Sequence, residues 1–333
     1  MKRRLFMLAV LVLVVTFSVG YSQMASARTF LSMAGGPSSG STLQDTSAAL
    51  AGFLNQEFAY RGINITPEGS PGGADNVIRV NLGELDMSTA FSVDMIEGFS
   101  GTGFFEGNQL PNIRGVAMLC RSIAHAATLE GSGITSVADF AGRRIAIGGP
   151  GSSTTIMNER FLRMYGIWDY ITPLFLSGGD QMAAIRDGHA DASIWTTGVP
   201  GAMFVDLSTD RNMVLIDLAT PGKEMGFFDE FAAYIPFVIP GGSYRGVDND
   251  VPTIQATVLW IAHKDMDPDL IYDFLTAAFS EEGLTHLGYA NAMLRDMSVE
   301  NGLEGLRIPL HTGAERFWQG QDIYIPEDVR AID

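Results

Sequence analysis

Residues 145–166 (IAIGGPGSSTTIMNERFLRMYG) most constrain what this chain can fold into. Three apolar residues, Ile145–Ile147, lead into glycines and hydroxyl side chains. A helix follows directly, with its apolar residues Met157, Phe161 and Tyr165 at helical spacing. Because a helix begins with unpaired backbone N–H groups and a positive dipole end, this strand–loop–helix unit favours an anion. No Walker lysine or third dinucleotide glycine is present, so a small carboxylate suits the loop better than a nucleotide phosphate.

The N-terminus predicts an export signal. Three basic residues (2–4) precede the apolar run Leu5–Val19, and Ala25-Ser26-Ala27 has the small residues of a cleavage site. We expect cleavage after Ala27, a mature chain that begins at Arg28, and a periplasmic location. An uncleaved N-terminal anchor is the alternative, and both the secretory and the twin-arginine export routes remain open.

The chain is strongly acidic. Its 38 Asp and Glu residues outnumber its 21 Lys and Arg residues, and cleavage of the signal would remove three further positive charges. This balance disfavours nucleic acid and anionic membranes as partners. The single cysteine, Cys120, excludes an internal disulfide, and its apolar surroundings favour a buried, unreactive thiol. The five histidines lack paired ligand spacing, so we predict neither a metal nor a cofactor.

Strand-like and helix-like segments alternate along the mature chain, which predicts an α/β fold with a parallel sheet. The first half contains a strand, the loop GGPSSG (residues 35–40) and a helix, and the second half repeats this order with GGPGSS (residues 148–153). Two similar α/β lobes would each present a helix N-terminus to a shared cleft. Such a cleft would close on a ligand by hinge motion.

Short motifs recur in a fixed order over nearly the whole mature chain. They are Gly35–Ser41, Glu68–Asn76, Gly83–Asp86 followed by Ser92–Asp94, Gly101–Phe104, Gly131–Ile134, Asp139–Arg144, Gly148–Thr154, Asp187–Ala192, Ile239–Tyr244 and Ile308–Ala314. In this order the chain resembles the TAXI-type solute-binding proteins of tripartite ATP-independent periplasmic (TRAP) transporters. Phe91 and Trp195 depart from the resemblance, because both are bulkier than the residues common at these positions.

The resemblance implies a two-lobed periplasmic binding protein of the type II kind. Lobe 1 would comprise residues 28–125 and 235–333 and lobe 2 residues 126–234, with the chain crossing near residues 121–130 and 231–239. The resemblance implies no catalysis. The protein would capture a small carboxylate such as glutamate or 2-oxoglutarate, or another amino acid, and deliver it to TRAP membrane subunits. We expect a monomer.

Candidate ligand-binding residues lie in the two glycine-rich loops and at strand ends, where open α/β sheets bind ligands. They are Gly36, Ser38, Ser39, Ser41, Thr42, Phe91, Ser92, Asp94, Gly149, Gly151, Ser152, Ser153, Thr154, Trp195, Thr196, Thr197, Gly198 and Phe237. Four successive hydroxyls at residues 152–155 exceed what one helix cap needs. Asp94 could cap a helix or receive a ligand amino group, and Arg121 could pair with a carboxylate or be a solvated hinge residue.

Other functions remain open from the sequence. The same clamp could serve a signalling receptor, or an ABC transporter, instead of a TRAP transporter. Gly36–Gly40 matches the GxSxG pattern of a serine hydrolase, with Ser38 as nucleophile and His286 or His311 as base. This motif would follow the first predicted strand, so most strands of the predicted sheet come after it in the chain. Asp265–Asp269 resembles the start of a calcium loop, but Asp267 as a helix cap before Pro268 explains it better.

Overall fold

A computed structural model describes residues 28–36 and 41–332. The predicted signal segment with its cleavage site lies outside these residues, as do Ser38 and Ser39 of the first loop. The predicted α/β fold is confirmed, because ten strands form one sheet that helices flank.

The strands are short except for two. They are β1 (Thr29–Ala34), β2 (Ile63–Glu68), β3 (Met87–Phe91), β4 (Ile113–Leu129), β5 (Arg144–Ala146), β6 (Thr172–Leu174), β7 (Ala192–Thr197), β8 (Met213–Ile216), β9 (Ile235–Ile239) and β10 (Val251–His263). The α-helices within the described part of the chain are α1 (Thr42–Glu57), α2 (Gly73–Asn81), α3 (Ser92–Ser100), α4 (Ser153–Met164), α5 (Gly178–Arg186), α6 (Ala202–Asp210), α7 (Ala219–Glu224), α8 (Phe227–Glu230), α9 (Pro268–Ala278), α10 (Glu281–Ala290) and α11 (Thr312–Gln319).

The sheet is mixed, so the expectation of a parallel sheet is corrected. The strand order is β2-β1-β3-β10-β4-β7-β5-β6, with β8 paired to β4 and β9 paired to β10. β1 runs parallel to β2 and β3, and β5 runs parallel to β6 and β7. The long strands β4 and β10 are antiparallel to each other and to β7 and β3, respectively. The antiparallel pairs arise because these two strands return between the parallel groups.

The molecule has two halves with the same topology. The first half comprises β1–β3 with α1–α3, and the second comprises β5–β7 with α4–α6; in each, the first strand lies between the other two. Strands β4 and β10 connect the halves. Residues 258–262 of β10 pair with β3, whereas residues 123–128 of β4 pair with β7.

Matching side chains position the glycine-rich loops in both halves. The Asn76 amide of α2 donates hydrogen bonds to the carbonyl oxygens of Gly35 (2.6 Å) and Thr89 (2.8 Å). In the second half, the Asn158 amide donates to the carbonyl oxygens of Ile147 (2.9 Å) and of β7. These buried amides fix each loop against the third strand of its half.

No helix in residues 28–36 and 41–332 is long and apolar enough to cross a membrane.

Candidate ligand-binding site

A cavity of about 390 Å³ lies between the two halves, and both halves contribute to its wall. Its lining residues are Ser41, Thr42, Leu43, Pro71, Gly72, Phe91, Gly149, Pro150, Ser152, Ser153, Thr154, Ser177, Gly178, Gly179, Asp180, Trp195, Thr196 and Met203. This volume falls in the range of small-molecule sites.

Four helices begin at this cavity. The N-cap residues of α1, α2, α4 and α5 all belong to its lining, namely Ser41, Gly72, Ser152 and Ser177. Each of these helix starts presents backbone N–H groups and a positive dipole end. None of the described lining residues is Lys or Arg, so backbone N–H groups and hydroxyls would hold an anion. The N-cap serines of α1 and α5, Ser41 and Ser177, do not cap their own helices with their side chains.

Apolar side chains form much of the remaining wall. Phe91 is the last residue of β3, and Trp195 lies in β7. Each half therefore contributes one buried aromatic ring. Leu43 and Met203 add aliphatic surface. The cavity therefore combines polar helix starts with apolar walls, an arrangement common in small-molecule sites.

Two contacts beneath the cavity join the halves. In the first, the Ser153 hydroxyl of α4 donates a hydrogen bond of 2.8 Å to the Asp94 carboxyl group of α3. Burial raises the pKa of Asp94 to about 7, although the bond from Ser153 acts in the opposite direction. A Cβ atom at Gly73 would lie 2.0 Å from Asp94 Oδ2, so only glycine permits this close approach.

The second contact is an ion pair between α3 and α4. The Arg160 guanidinium donates two hydrogen bonds to the Glu97 carboxylate, at 2.6 and 2.8 Å. Both side chains are largely buried, at 15% and 13% exposed. The guanidinium also lies 4.9 Å from the centre of the Phe231 ring. Planar, bidentate geometry of this kind makes a strong contact between the halves.

The structure brings half of the predicted ligand residues to one place. Nine of them line the cavity, namely Ser41, Thr42, Phe91, Gly149, Ser152, Ser153, Thr154, Trp195 and Thr196. The other described candidates do not line it; these are Gly36, Ser92, Asp94, Gly151, Thr197, Gly198 and Phe237. Ser38 and Ser39 lie outside the described residues.

The candidates that do not line the cavity have other contacts. The Gly36 N–H donates to the Gln44 side chain, and the Ser92 hydroxyl lies 3.3 Å from the Ala233 carbonyl oxygen. The Asp94 carboxyl accepts from Ser153 and from the backbone of Phe91, as expected of a helix-capping group. Gly198 packs near Met293, while Phe237 lies in β9, where it pairs with β10.

Sequence reasoning missed half of the cavity wall. The missed residues are Leu43, Pro71, Gly72, Pro150, Ser177, Gly178, Gly179, Asp180 and Met203. A signal existed for most of them, because Ser70–Gly73 and Ser177–Asp180 are also glycine-containing segments where the chain passes from a strand into a helix. Asp180 is the single charged side chain among the described lining residues.

Of the two histidines that could serve as the base of a hydrolase, His311 is held by the backbone. Both ring nitrogens of His311 contact the backbone, Nε2 at 3.1 Å from the Met266 carbonyl oxygen and Nδ1 accepting from the Gly313 N–H. Burial lowers the pKa of His311 to about 4. His286 packs against the Phe53 ring, 5.3 Å between ring centres.

The structure also shows the surroundings of other residues that the sequence singled out. Arg121 pairs with Glu304 and Asp296, so its charge is neutralised within the chain. Cys120 is fully buried, and burial raises the pKa of its thiol. Asp267 accepts a hydrogen bond from the Asp269 N–H and caps α9, as predicted. Across residues 28–36 and 41–332, no group of three His, Cys, Asp or Glu side chains could hold a metal ion.

Three solved structures show what the chain is similar to. MatC from Rhodopseudomonas palustris with bound malate is 12% identical, with a TM-score of 0.53, and covers 80% of this chain and 89% of that one. XAC2383 from Xanthomonas citri bound to ATP is 11% identical, with a TM-score of 0.51, and the coverages are 87% and 98%. The periplasmic aliphatic sulphonate binding protein SsuA from Escherichia coli is 15% identical, with a TM-score of 0.43 and coverages of 80% and 80%.

At these identities the likeness shows the fold alone. The family is shown by a longer match along the sequence. The NMT1-like family model matches residues 34–321, which is most of the chain. The chain therefore belongs to the NMT1-like family.

Proposed function

We propose that the chain is an exported, TAXI-type solute-binding protein that captures a small carboxylate and passes it to TRAP membrane subunits. The observation that carries this proposal is the convergence of four helix N-termini on a cavity with no Lys or Arg among its described lining residues. Oriented N–H groups and hydroxyls stabilise a carboxylate by about 1.5–3 kcal/mol per charge-assisted hydrogen bond. MatC, which has the same fold, holds malate, a small dicarboxylate.

Local donors matter because the whole chain repels anions. The formal net charge is −17, so the field of the protein does not draw a carboxylate toward the cavity. The hydroxyls of Ser41 and Ser177, which do not cap their own helices, are available to a ligand. One lies in each half of the molecule, and a dicarboxylate that bridges them would contact both halves.

Closure of the two halves would follow from this bridging. A ligand stabilises the closed arrangement only to the extent that it binds that arrangement more tightly than an open one. We propose the lobes as residues 28–125 with 235–333 and residues 126–234.

The proposal is tested by thermal unfolding of residues 28–333 with mono- and dicarboxylates, amino acids and sugars. A carboxylate that binds only the folded protein raises the unfolding midpoint in a concentration-dependent way. A shift produced by sugars alone would contradict the carboxylate site and retain a solute-binding protein. Denaturation and refolding before the assay removes any ligand that co-purifies.

Export and delivery need separate measurements. N-terminal sequencing of the exported protein should give Arg28 as the first residue. Reconstituted TRAP membrane subunits should transport the carboxylate only when the binding protein is present. Binding without such transport would favour a receptor or an ABC transporter as the partner.

A further inference from the structure

A second, much smaller chamber adjoins the main cavity. Its volume is about 10 Å³, and four residues, Phe91, Ser153, Thr154 and Thr196, line both spaces. The remaining lining residues are Val93, Met157, Tyr234 and Ala256. A space of this size holds about one water molecule.

Tyr234, one of the residues that line this chamber, has a hydroxyl with no hydrogen-bond acceptor among the described residues. The side chain is 2% exposed, and its ring stacks on Phe227 with 5.5 Å between ring centres. The Arg160 guanidinium lies beside it, but a guanidinium only donates and cannot accept the phenolic proton. A buried hydroxyl whose donor stays unpaired destabilises the fold, so buried tyrosines usually find a partner.

The neighbouring hydroxyls can be assigned donor and acceptor roles. Thr154 and Thr196 share one hydrogen bond of 2.8 Å, so one of their two protons remains free. Ser153 donates its proton to Asp94, and its oxygen can still accept. The chamber therefore offers two O–H donors, from Tyr234 and from the threonine pair, and one acceptor, Ser153 Oγ.

We propose that this chamber holds one ordered water, which makes Tyr234 a specificity-determining residue for the cavity. The water accepts hydrogen bonds from Tyr234 and from the threonine pair, and it donates one proton to Ser153. The chamber's one acceptor takes the first proton, so the second proton is free to point toward the main cavity, which shares Phe91, Ser153, Thr154 and Thr196 with the chamber. The water thus presents a donor to the ligand and selects an acceptor, a carboxylate oxygen, over an N–H group. This inference rests on the proposed function for the identity of the ligand.

The variant Tyr234→Phe tests this role, because it removes the hydroxyl and keeps the ring on Phe227. Calorimetry with the carboxylate that gives the largest thermal shift should show affinity reduced by about five- to twenty-fold. Tyr170→Phe is the matched control, since that side chain is 69% exposed and does not line either space. The affinity of this control should equal that of the wild type.

The preference for carboxylate over the corresponding carboxamide distinguishes specificity from a structural role. In Tyr234→Phe this preference should shrink, whereas general damage to the fold would weaken both ligands equally. Unchanged affinity and preference in Tyr234→Phe would overturn the inference.

A high-resolution crystal structure of the ligand-free protein tests the water without any ligand. Density for a water within about 3.2 Å of Tyr234 Oη is expected. An empty chamber overturns the inference even if carboxylates bind. Failure of the wild-type protein to bind any carboxylate contradicts the proposed function instead, and the crystal still decides whether the water exists.

Discussion

The hydroxyl of Ser153 donates a 2.8 Å hydrogen bond to the carboxyl group of Asp94, across the boundary between the two halves of the molecule. Ser153 also lines the cavity, while Asp94 lies behind it and is 4% exposed. The residue that would contact a ligand is therefore joined to a buried acid of the opposite half. Ligand binding, closure of the halves and the protonation of Asp94 are consequently linked.

Asp94→Asn should stabilise the protein at about pH 8 and not at about pH 4. The pKa of Asp94 is about 7 in the folded protein, above its ordinary value of 3.8, because the group is buried. The contribution of the protonated Asp94 to the free energy of unfolding is complete below pH 3.8 and is lost as the pH rises through 7. The difference from the wild type should reach on the order of 4 kcal/mol at high pH. Urea unfolding of both proteins at the two pH values measures it, and equal pH profiles would contradict a raised pKa.

Arg160→Met should weaken ligand binding although Arg160 does not line the cavity. The substitution leaves the Glu97 carboxylate without its partner at the boundary between the halves, which destabilises the closed arrangement. We expect the ligand affinity to fall by roughly five- to thirty-fold. This loss is smaller than for a fully buried ion pair, because Arg160 and Glu97 are partly exposed.

The matched control for this ion pair is Arg163→Met on the same helix. Arg163 pairs with Glu159 within α4 and is 53% exposed, so its loss should change affinity little. The double variant of Arg160→Met and Glu97→Gln should be no worse than Arg160→Met alone. Additive losses would show that the two side chains act independently.

Local sequence patterns predicted much of the fold. The predicted strand before the first glycine-rich loop is observed at Thr29–Ala34, and the predicted helix after the second loop is observed at Ser153–Met164. These elements follow from hydrophobic spacing and glycine-rich turns, which are local properties. In contrast, residues 113–129 form one 17-residue strand, because antiparallel pairing with β10 continues through Arg121 and Ser122.

The candidate site was predicted less completely, for a physical reason. Hydroxyl-rich helix starts are visible in the sequence, but the partners that occupy or free each side chain come from distant segments. Asp94 and Ser153 are 59 residues apart, and the chain alone does not show that they meet. The helix starts at Gly72 and Ser177 also line the cavity, because the two halves have the same topology and face each other across it.

The triple variant Ser152→Ala, Ser153→Ala and Thr154→Ala should lose most of its ligand affinity. Each of these residues lines the cavity, and we expect a loss of about 1.5–3 kcal/mol for each charge-assisted hydrogen bond that is removed. Calorimetry with the bound carboxylate measures the loss. Unchanged affinity would remove this loop from the ligand site.

Stability must be separated from binding in this loop variant. Ser152 caps α4 by accepting from the Thr155 N–H, so some loss of stability is expected with the loss of affinity. A triple variant of Thr209, Ser243 and Thr276 to Ala is the control, because these exposed hydroxyls donate only to nearby backbone carbonyls. Its ligand affinity should match that of the wild type.

His311→Asn should reduce the sensitivity of the fold to acid. Burial lowers the pKa of His311 to about 4 from 6.5, so the folded protein keeps the ring neutral while the unfolded chain binds a proton. The contribution of the neutral His311 to the free energy of unfolding is therefore complete above pH 6.5, and it is lost as the pH falls from 6.5 toward 4. Asparagine is a good N-cap and can accept from the Gly313 N–H without titrating, although it loses the contact with Met266. The variant should be less stable than the wild type at about pH 7, and its free energy of unfolding should decline less between pH 6.5 and 4.

His189→Asn, at an exposed position, is the control and should keep the wild-type pH profile. An unaltered profile in His311→Asn would show that another group controls acid unfolding.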